Sequence, residues 1–280
     1  MTDHDLALKS LLYRKNMLRI IKQAGAGHTG GGLSCIDILN VLYNRILRVS
    51  PQTFTDPNRD RYIQSKGHSV EALYVVLADK GFFPLKQLDT LGQYNSPFVG
   101  HPTRAIPGCE QNTGGLGHGL SIGVGCAIAA KKDNRDFRTY VLLGDGELAE
   151  GSNWEAAMAA SHYRLDNLIA IVDHNTLQIS GRTRDVCSNE PLDQKFIAFG
   201  WHVSTVDGHN FAQLTSALTP VGITDKPHVV IANTIKGKGI SFMQDVAKWH
   251  HGVPNNEEYV LALRELDDAI PALTISKGVR

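Results

Sequence analysis

Gly144-Asp145-Gly146 stands directly after the apolar run Thr139 to Leu143, and Asp173-His174-Asn175 stands at the end of the next such run, Leu168 to Val172. If both runs are strands joined by a helix, the crossover sets Asp145 and Asn175 side by side at one edge of a sheet. A carboxylate, an amide oxygen and a loop carbonyl are the hard oxygen donors that Mg²⁺ or Ca²⁺ prefers, and Mg²⁺ usually completes its shell with substrate phosphates and water. The flanking glycines, Gly144 and Gly146, leave room for a diphosphate. Imidazole is the second chemical signal. Composition alone gives about one Gly-His dipeptide, and the chain has five: Gly27-His28, Gly67-His68, Gly100-His101, Gly117-His118 and Gly208-His209. Such histidines can hydrogen-bond phosphates and move protons near neutral pH.

Two nucleotide patterns fail. Gly25-Ala26-Gly27-His28-Thr29-Gly30 has the dinucleotide glycine spacing but follows a helix where that motif needs a strand, and Gly237-Lys238-Gly239 lacks the spacing of a phosphate-binding loop.

The elements that must position these groups are legible in outline. Leu8, Leu11, Leu12, Leu18 and Ile21 recur at helical spacing, so residues 5–24 read as an amphipathic helix, ended by a glycine-rich loop from Gly25 to Gly32. Ile36, Leu39, Leu42 and Tyr43 mark a second helix, and Tyr62-Ile63 a short extended segment. Helix dominates to residue 92, an irregular segment runs to Gly115, and Leu120 to Ala130 reads as a closely packed helix. Ser152 and Glu155 form a capping-box pattern ahead of the crossover helix. His202 to Val206 and His228 to Ala232 are further strand-length runs. Near-continuous apolar strands alternating with helices predict an α/β fold, a mostly parallel sheet covered by helices on both faces. One domain is expected over residues 1–265, with a C-terminal tail over 266–280.

Composition limits the function classes. The 280 residues carry 28 Lys plus Arg against 28 Asp plus Glu, so no charge excess points to nucleic acid or an anionic membrane surface. No apolar run reaches the roughly 20 residues of a membrane span. The acidic start, Met1 to Asp5, is unlike a secretory signal, and Cys35, Cys109, Cys126 and Cys187 are too scattered for a zinc or redox pair. A soluble, cytoplasmic protein with free thiols is expected.

The pairing of Gly144-Asp145-Gly146 with Asn175 resembles the thiamine-diphosphate fingerprint. The longer runs from Gly144 to Gly151, Glu155 to Ala157 and Asp166 to Asp173 resemble transketolase in particular. Gly27-His28-Thr29-Gly30, Lys66-Gly67-His68, Gly100-His101-Pro102 and Thr113 to Gly117 follow the family's order upstream, and Lys236 to Gly239 and His251 to Pro254 follow it downstream. The resemblance spans residues 5–265. It implies thiamine diphosphate and Mg²⁺ as cofactors, with Ca²⁺ or Mn²⁺ able to substitute, and Asp145, Asn175 and the main-chain carbonyl of Leu177 as metal ligands. His68 would contact the diphosphate, Gly114 and Leu116 would line the aminopyrimidine end, and His28, His101 and His251 would face the sugar. Glu150 resembles the glutamate at the subunit interface. Thr29 and Gly115 depart from the proline, or proline and serine, that the family usually has there.

The chain has no counterpart of the family's pyrimidine-binding domain, which supplies the glutamate that activates the cofactor. The resemblance therefore implies the N-terminal subunit of a split transketolase, moving a two-carbon ketol unit between sugar phosphates only with a C-terminal partner, in a two-plus-two assembly. The alternatives are a component similar to 1-deoxyxylulose-phosphate synthase and a non-catalytic binding subunit.

Overall fold

The apolar runs become five parallel strands. In the computed structural model, which describes residues 1–219, 222 and 224–275, these are β1 (Arg61–Gln64), β2 (Thr139–Gly144), β3 (Leu168–His174), β4 (His202–Asp207) and β5 (His228–Asn233), in the sheet order β1-β2-β3-β5-β4. Each expected strand run falls within one of them. The helices are α1 (Asp3–Ala24), α2 (Thr29–Val41), α3 (Val70–Asp79), α4 (Gly119–Lys132), α5 (Gly151–His162), α6 (Thr183–Val186), α7 (Leu192–Ala198), α8 (Phe211–Leu218) and α9 (Asn256–Ile275).

Successive strand residues point to opposite faces. Tyr140, Leu142, Ile169 and Ile171 join a core with α1, α2 and α3, whereas Val141, Leu143, Ala170 and Val172 join a second core with α4, α5 and Phe196 of α7. Cover on both sides is why β2 and β3 are apolar at nearly every position rather than alternating. In register, Gly144 lies beside Asp173, and Asp173 beside Ala232 of β5. The carboxyl ends of β2, β3 and β5 are therefore adjacent.

Three local expectations do not hold. The glycine-rich stretch is a loop only as far as His28, because α2 begins at Thr29 and takes Gly30, Gly31 and Gly32 into its first turns. Packing overrides glycine's poor helix propensity: a Cβ on Gly30 would lie 2.8 Å from the Trp249 carbonyl oxygen, and one on Gly32 would lie 2.6 Å from the Met17 sulfur. The Ser152–Glu155 capping box does not form. Glu150 precedes α5 as its N-cap, and the Ser152 hydroxyl donates instead to the Gly117 carbonyl at 2.9 Å. Finally, the boundary expected at residue 265 falls inside α9, whose Ala262 and Leu266 are fully buried in the same core as α1. Residues 276–280 of the expected tail lie outside the described residues.

The first residue of β5 carries a pH prediction. The buried His228 ring shares a hydrogen bond with the Ser204 hydroxyl at 3.0 Å and packs 4.9 Å from the His202 ring, while its Nδ1 has no partner among the described residues. Burial, and then the nearby His202, pull it from 6.5 down to about 4. Between those values the unfolded chain takes up a proton that the folded chain refuses, so stability falls as pH drops from 6.5 towards 4. His228 accounts for up to about 3 kcal/mol of that loss. In His228→Gln, the fall in thermal midpoint from pH 7 to pH 4.5 should be visibly shallower; an unchanged slope would show that the ring protonates in place.

Candidate active site

Four strand ends and two loops build one cavity of about 300 Å³. After β1 come Lys66 and His68, after β2 Asp145 and Glu147, after β3 Asn175 and Leu177, and after β5 Lys236; His28 and Gly114 close it from the loops, and His250 from a short helix before α9. A larger hollow of about 1100 Å³ runs along β4 and α8 beside His202 and His228, and shares no lining residue with this one.

Glu147 holds the strand ends together. Its carboxylate accepts from the backbone N–H groups of Gly117 and Gly144, each at 3.0 Å, and from the Ser65 hydroxyl. That fixes the loop before α4 to the ends of β1 and β2. Asp173, fully buried, accepts from the Lys66 ammonium, the Thr234 hydroxyl, the Ser34 hydroxyl at 2.7 Å and the Asn175 amide at 3.2 Å. Burial pushes its carboxyl up, but Lys66 and these donors more than offset that and hold it below the usual carboxylate range.

The predicted metal ligands are brought together. Asp145, 4% exposed, accepts from the backbone N–H of Gly146 at 2.8 Å and of Thr176 at 2.5 Å. Asn175 Oδ1 accepts from the Leu177 N–H at 3.2 Å, and the Leu177 carbonyl accepts from the Lys236 ammonium at 2.8 Å. Burial, and then the neighbouring Asp173, raise the Asp145 carboxyl. A buried carboxylate, a side-chain amide and a carbonyl already drawing a cation form a donor set suited to a small divalent ion. No group of three or more His, Cys, Asp or Glu side chains capable of holding a metal occurs among the described residues.

The same cavity suits an anion. The Lys236 ammonium is buried, makes no ion pair among the described residues and is bound only by the Leu177 carbonyl and His250 Nδ1, the latter at 3.0 Å. Burial, and then Lys66, lower it to about 8. A diphosphate would supply the missing charge, and its metal would meet the oxygen set beside it. The residues present therefore fit thiamine diphosphate with Mg²⁺ at its diphosphate end.

Around this lies a histidine cluster. The His28 ring is 4.6 Å from His251, 5.1 Å from His68, 5.8 Å from His250 and 6.4 Å from His101, centre to centre. The predicted His28, His68, His101 and His251 thus converge, although His101 and His251 do not line the cavity itself. Burial first, then the neighbouring imidazoles and lysines, lower His28 to about 4. Burial likewise lowers His68 and His101, so these rings are neutral near pH 7.

The remaining expectations divide. Gly114, Leu116, Gly144 and Gly146 line the cavity; Glu150 does not, and stands exposed at the N-cap of α5. His118 is an exposed N-cap of α4. His209 is structural: its Nε2 accepts from the Ile235 N–H at 2.9 Å, and its Nδ1 bonds Asp37 at 2.7 Å beside Arg14. Sequence reasoning gave no role to Lys66, Lys236, Glu147, Asp173 or His250. Lys66 and Lys236 stand just beyond the ends of β1 and β5, where the rule that ligands lie at strand carboxyl ends could have found them.

Comparison with known proteins gives the family. Residues 11–269 match the family described as transketolase, thiamine diphosphate binding domain. The chain is 51% identical over 269 residues, 96% of each chain, to one of the subunits of an apulose-4-phosphate transketolase from Phocaeicola vulgatus. It is 42% identical, over 94% of this chain and 96% of the relative, to a 6-deoxy-6-sulfo-D-fructose transketolase subunit of a Clostridium species. The crystal structure of Campylobacter jejuni transketolase superposes with a TM-score of 0.85 at 30% identity, over 98% of this chain and 48% of that one. The chain thus spans about half the length of that enzyme. By that match over residues 11–269 and by those relatives, the chain belongs to the transketolase family, over its thiamine diphosphate binding domain.

Proposed function

We propose that the chain is the N-terminal subunit of a two-component transketolase. It transfers a two-carbon ketol unit from a ketose phosphate to an aldose acceptor, in a cytoplasmic two-plus-two assembly with a C-terminal subunit that brings the pyrimidine-binding half. The observation that carries this reading is the convergence of Asp145, Asn175 and the Leu177 carbonyl beside an ammonium that makes no ion pair among the described residues, on a cavity lined by His28, His68 and His250. The relatives named as subunits, matched over nearly their whole length, support the two-chain arrangement. Four free cysteines accord with a reducing compartment, and no helix among the described residues is long and apolar enough to cross a membrane.

Thiamine diphosphate, when bound, would supply the electron sink that ketol transfer needs. This chain's residues hold and orient it. Asp145, Asn175 and the Leu177 carbonyl take Mg²⁺, Lys66, Lys236 and His68 face the diphosphate, and Gly114 and Leu116 line the aminopyrimidine end. His28, His101 and His251 face the sugar, where a ring nitrogen can take a hydroxyl proton and return it. Glu150 stands at the surface where the partner docks.

Calorimetric titration of thiamine diphosphate with Mg²⁺ tests this reading. Weak binding to the chain alone, and tight binding with ketol transfer after mixing with the C-terminal partner, are expected. Full turnover by the isolated chain would remove the two-subunit reading, and no binding in the mixture would leave a non-catalytic role.

A further inference from the structure

Glu71 has no part in the roles assigned above, yet it is a carboxyl only 2% exposed, in the first turn of α3. Two helices begin here without help from their own caps: the His28 side chain makes no cap hydrogen bond to α2, and Ser69 makes none to α3. The Glu71 carboxyl stands between the two ends, its Oε1 against Gly27 and its charge favoured by its own backbone N–H and by that of His28. An acidic group at a helix N-terminus also meets the favourable end of the helix dipole. Gly27 permits the approach, since a Cβ there would lie 2.9 Å from Glu71 Oε1. Oε2 is buried without a partner among the described residues. Burial pushes the carboxyl up to about 7, so a proton is available to it near neutrality and glutamine is its close mimic.

We propose that Glu71 is a positioning residue whose carboxyl clamps the His28 backbone to the start of α3, just after His68, and so fixes two imidazoles 5.1 Å apart at the cavity. The loop before His28 contains Gly25 and Gly27, both at positive φ. The proposal rests on the reading of His28 and His68 given above for the sugar and the diphosphate.

The test compares Glu71→Gln, which keeps an acceptor oxygen for the His28 N–H, with Glu71→Met, which keeps similar bulk without it. Imidazole NMR resonances of the full chain, with no cofactor present, give the first readout: His28 and His68 should shift or broaden in the Met variant and stay near wild type in the Gln variant. Ketol transfer by the assembled complex gives the second, with kcat about 10- to 100-fold lower for Met and close to wild type for Gln. Gly27→Ala, whose Cβ crowds the same carboxyl, should reproduce the Met pattern and decides the matter if the Met variant does not fold. Wild-type imidazole signals in Met and Gly27→Ala, or equal damage in Gln and Met, would overturn the clamp. A wild-type complex without ketol transfer would remove the functional reading alone, because the imidazole signals would still decide Glu71.

Discussion

Asp145→Ala is expected to abolish Mg²⁺-dependent binding of thiamine diphosphate while leaving the chain folded. Asp145 is the one charged member of the oxygen set. Asn175 and the Leu177 carbonyl contribute only dipoles. Loss of a residue that merely supports a metal ligand commonly costs 10- to 100-fold in affinity, so removal of the ligating carboxylate should cost at least about 100-fold, with activity of the assembled complex falling at least as far. The ligand-free chain should be far less affected. Burial and the neighbouring Asp173 raise the Asp145 carboxyl, so the substitution also relieves a repulsion between two carboxylates. Calorimetry and the ligand-free thermal midpoint, measured together, separate the two effects. Wild-type affinity in Asp145→Ala would place the metal elsewhere.

The largest stability effect should come from the neighbouring pair. Lys66 and Asp173 have side chains 1% and 0% exposed and are bonded directly to each other. Breaking such a pair by removing one partner strands the other charge in the interior, at a cost of about 3–5 kcal/mol. Asp173→Asn and Lys66→Met should each show that loss in urea denaturation at pH 7. The double variant Lys66→Met/Asp173→Asn should recover much of it, because neither charge is then left alone. If the two single losses simply add in the double variant, the groups are independent and the pairing is wrong. Asp173 also sets the Asn175 amide: a carboxylate only accepts, so the NH₂ group must face it and Oδ1 is turned towards Leu177.

The sheet was readable because burial on both faces writes β2, β3 and β5 as apolar runs. Asp145 and Asn175 were readable because they are polar residues placed where those runs stop. Lys66 and Lys236 occupy equivalent places, yet a lysine after a strand looks like ordinary solvated surface until its burial is known. His250 and His251 are adjacent, and a sequence cannot say which ring enters the cavity; here His250 does, stacked on His68 at 5.3 Å. The family motif pointed only to His251. Glu71 carried no signal, since an acidic residue in the first turn of a helix is the commonest exposed arrangement. Ser152 and Glu155 misled because a capping pattern states only local opportunity, and the Gly117 carbonyl claimed the serine hydroxyl.

The cavity draws its lining from His28 near one end of the sequence to His250 near the other. No short contiguous fragment holds the whole set, so ligand affinity and cooperative unfolding are thermodynamically linked across most of the chain. A ligand at 100 times its dissociation constant would add about 2.7 kcal/mol to global unfolding. Its presence should therefore slow hydrogen exchange even at the amides of β2 and β3 that open only when the whole domain does, and should protect against proteolysis far from the cavity.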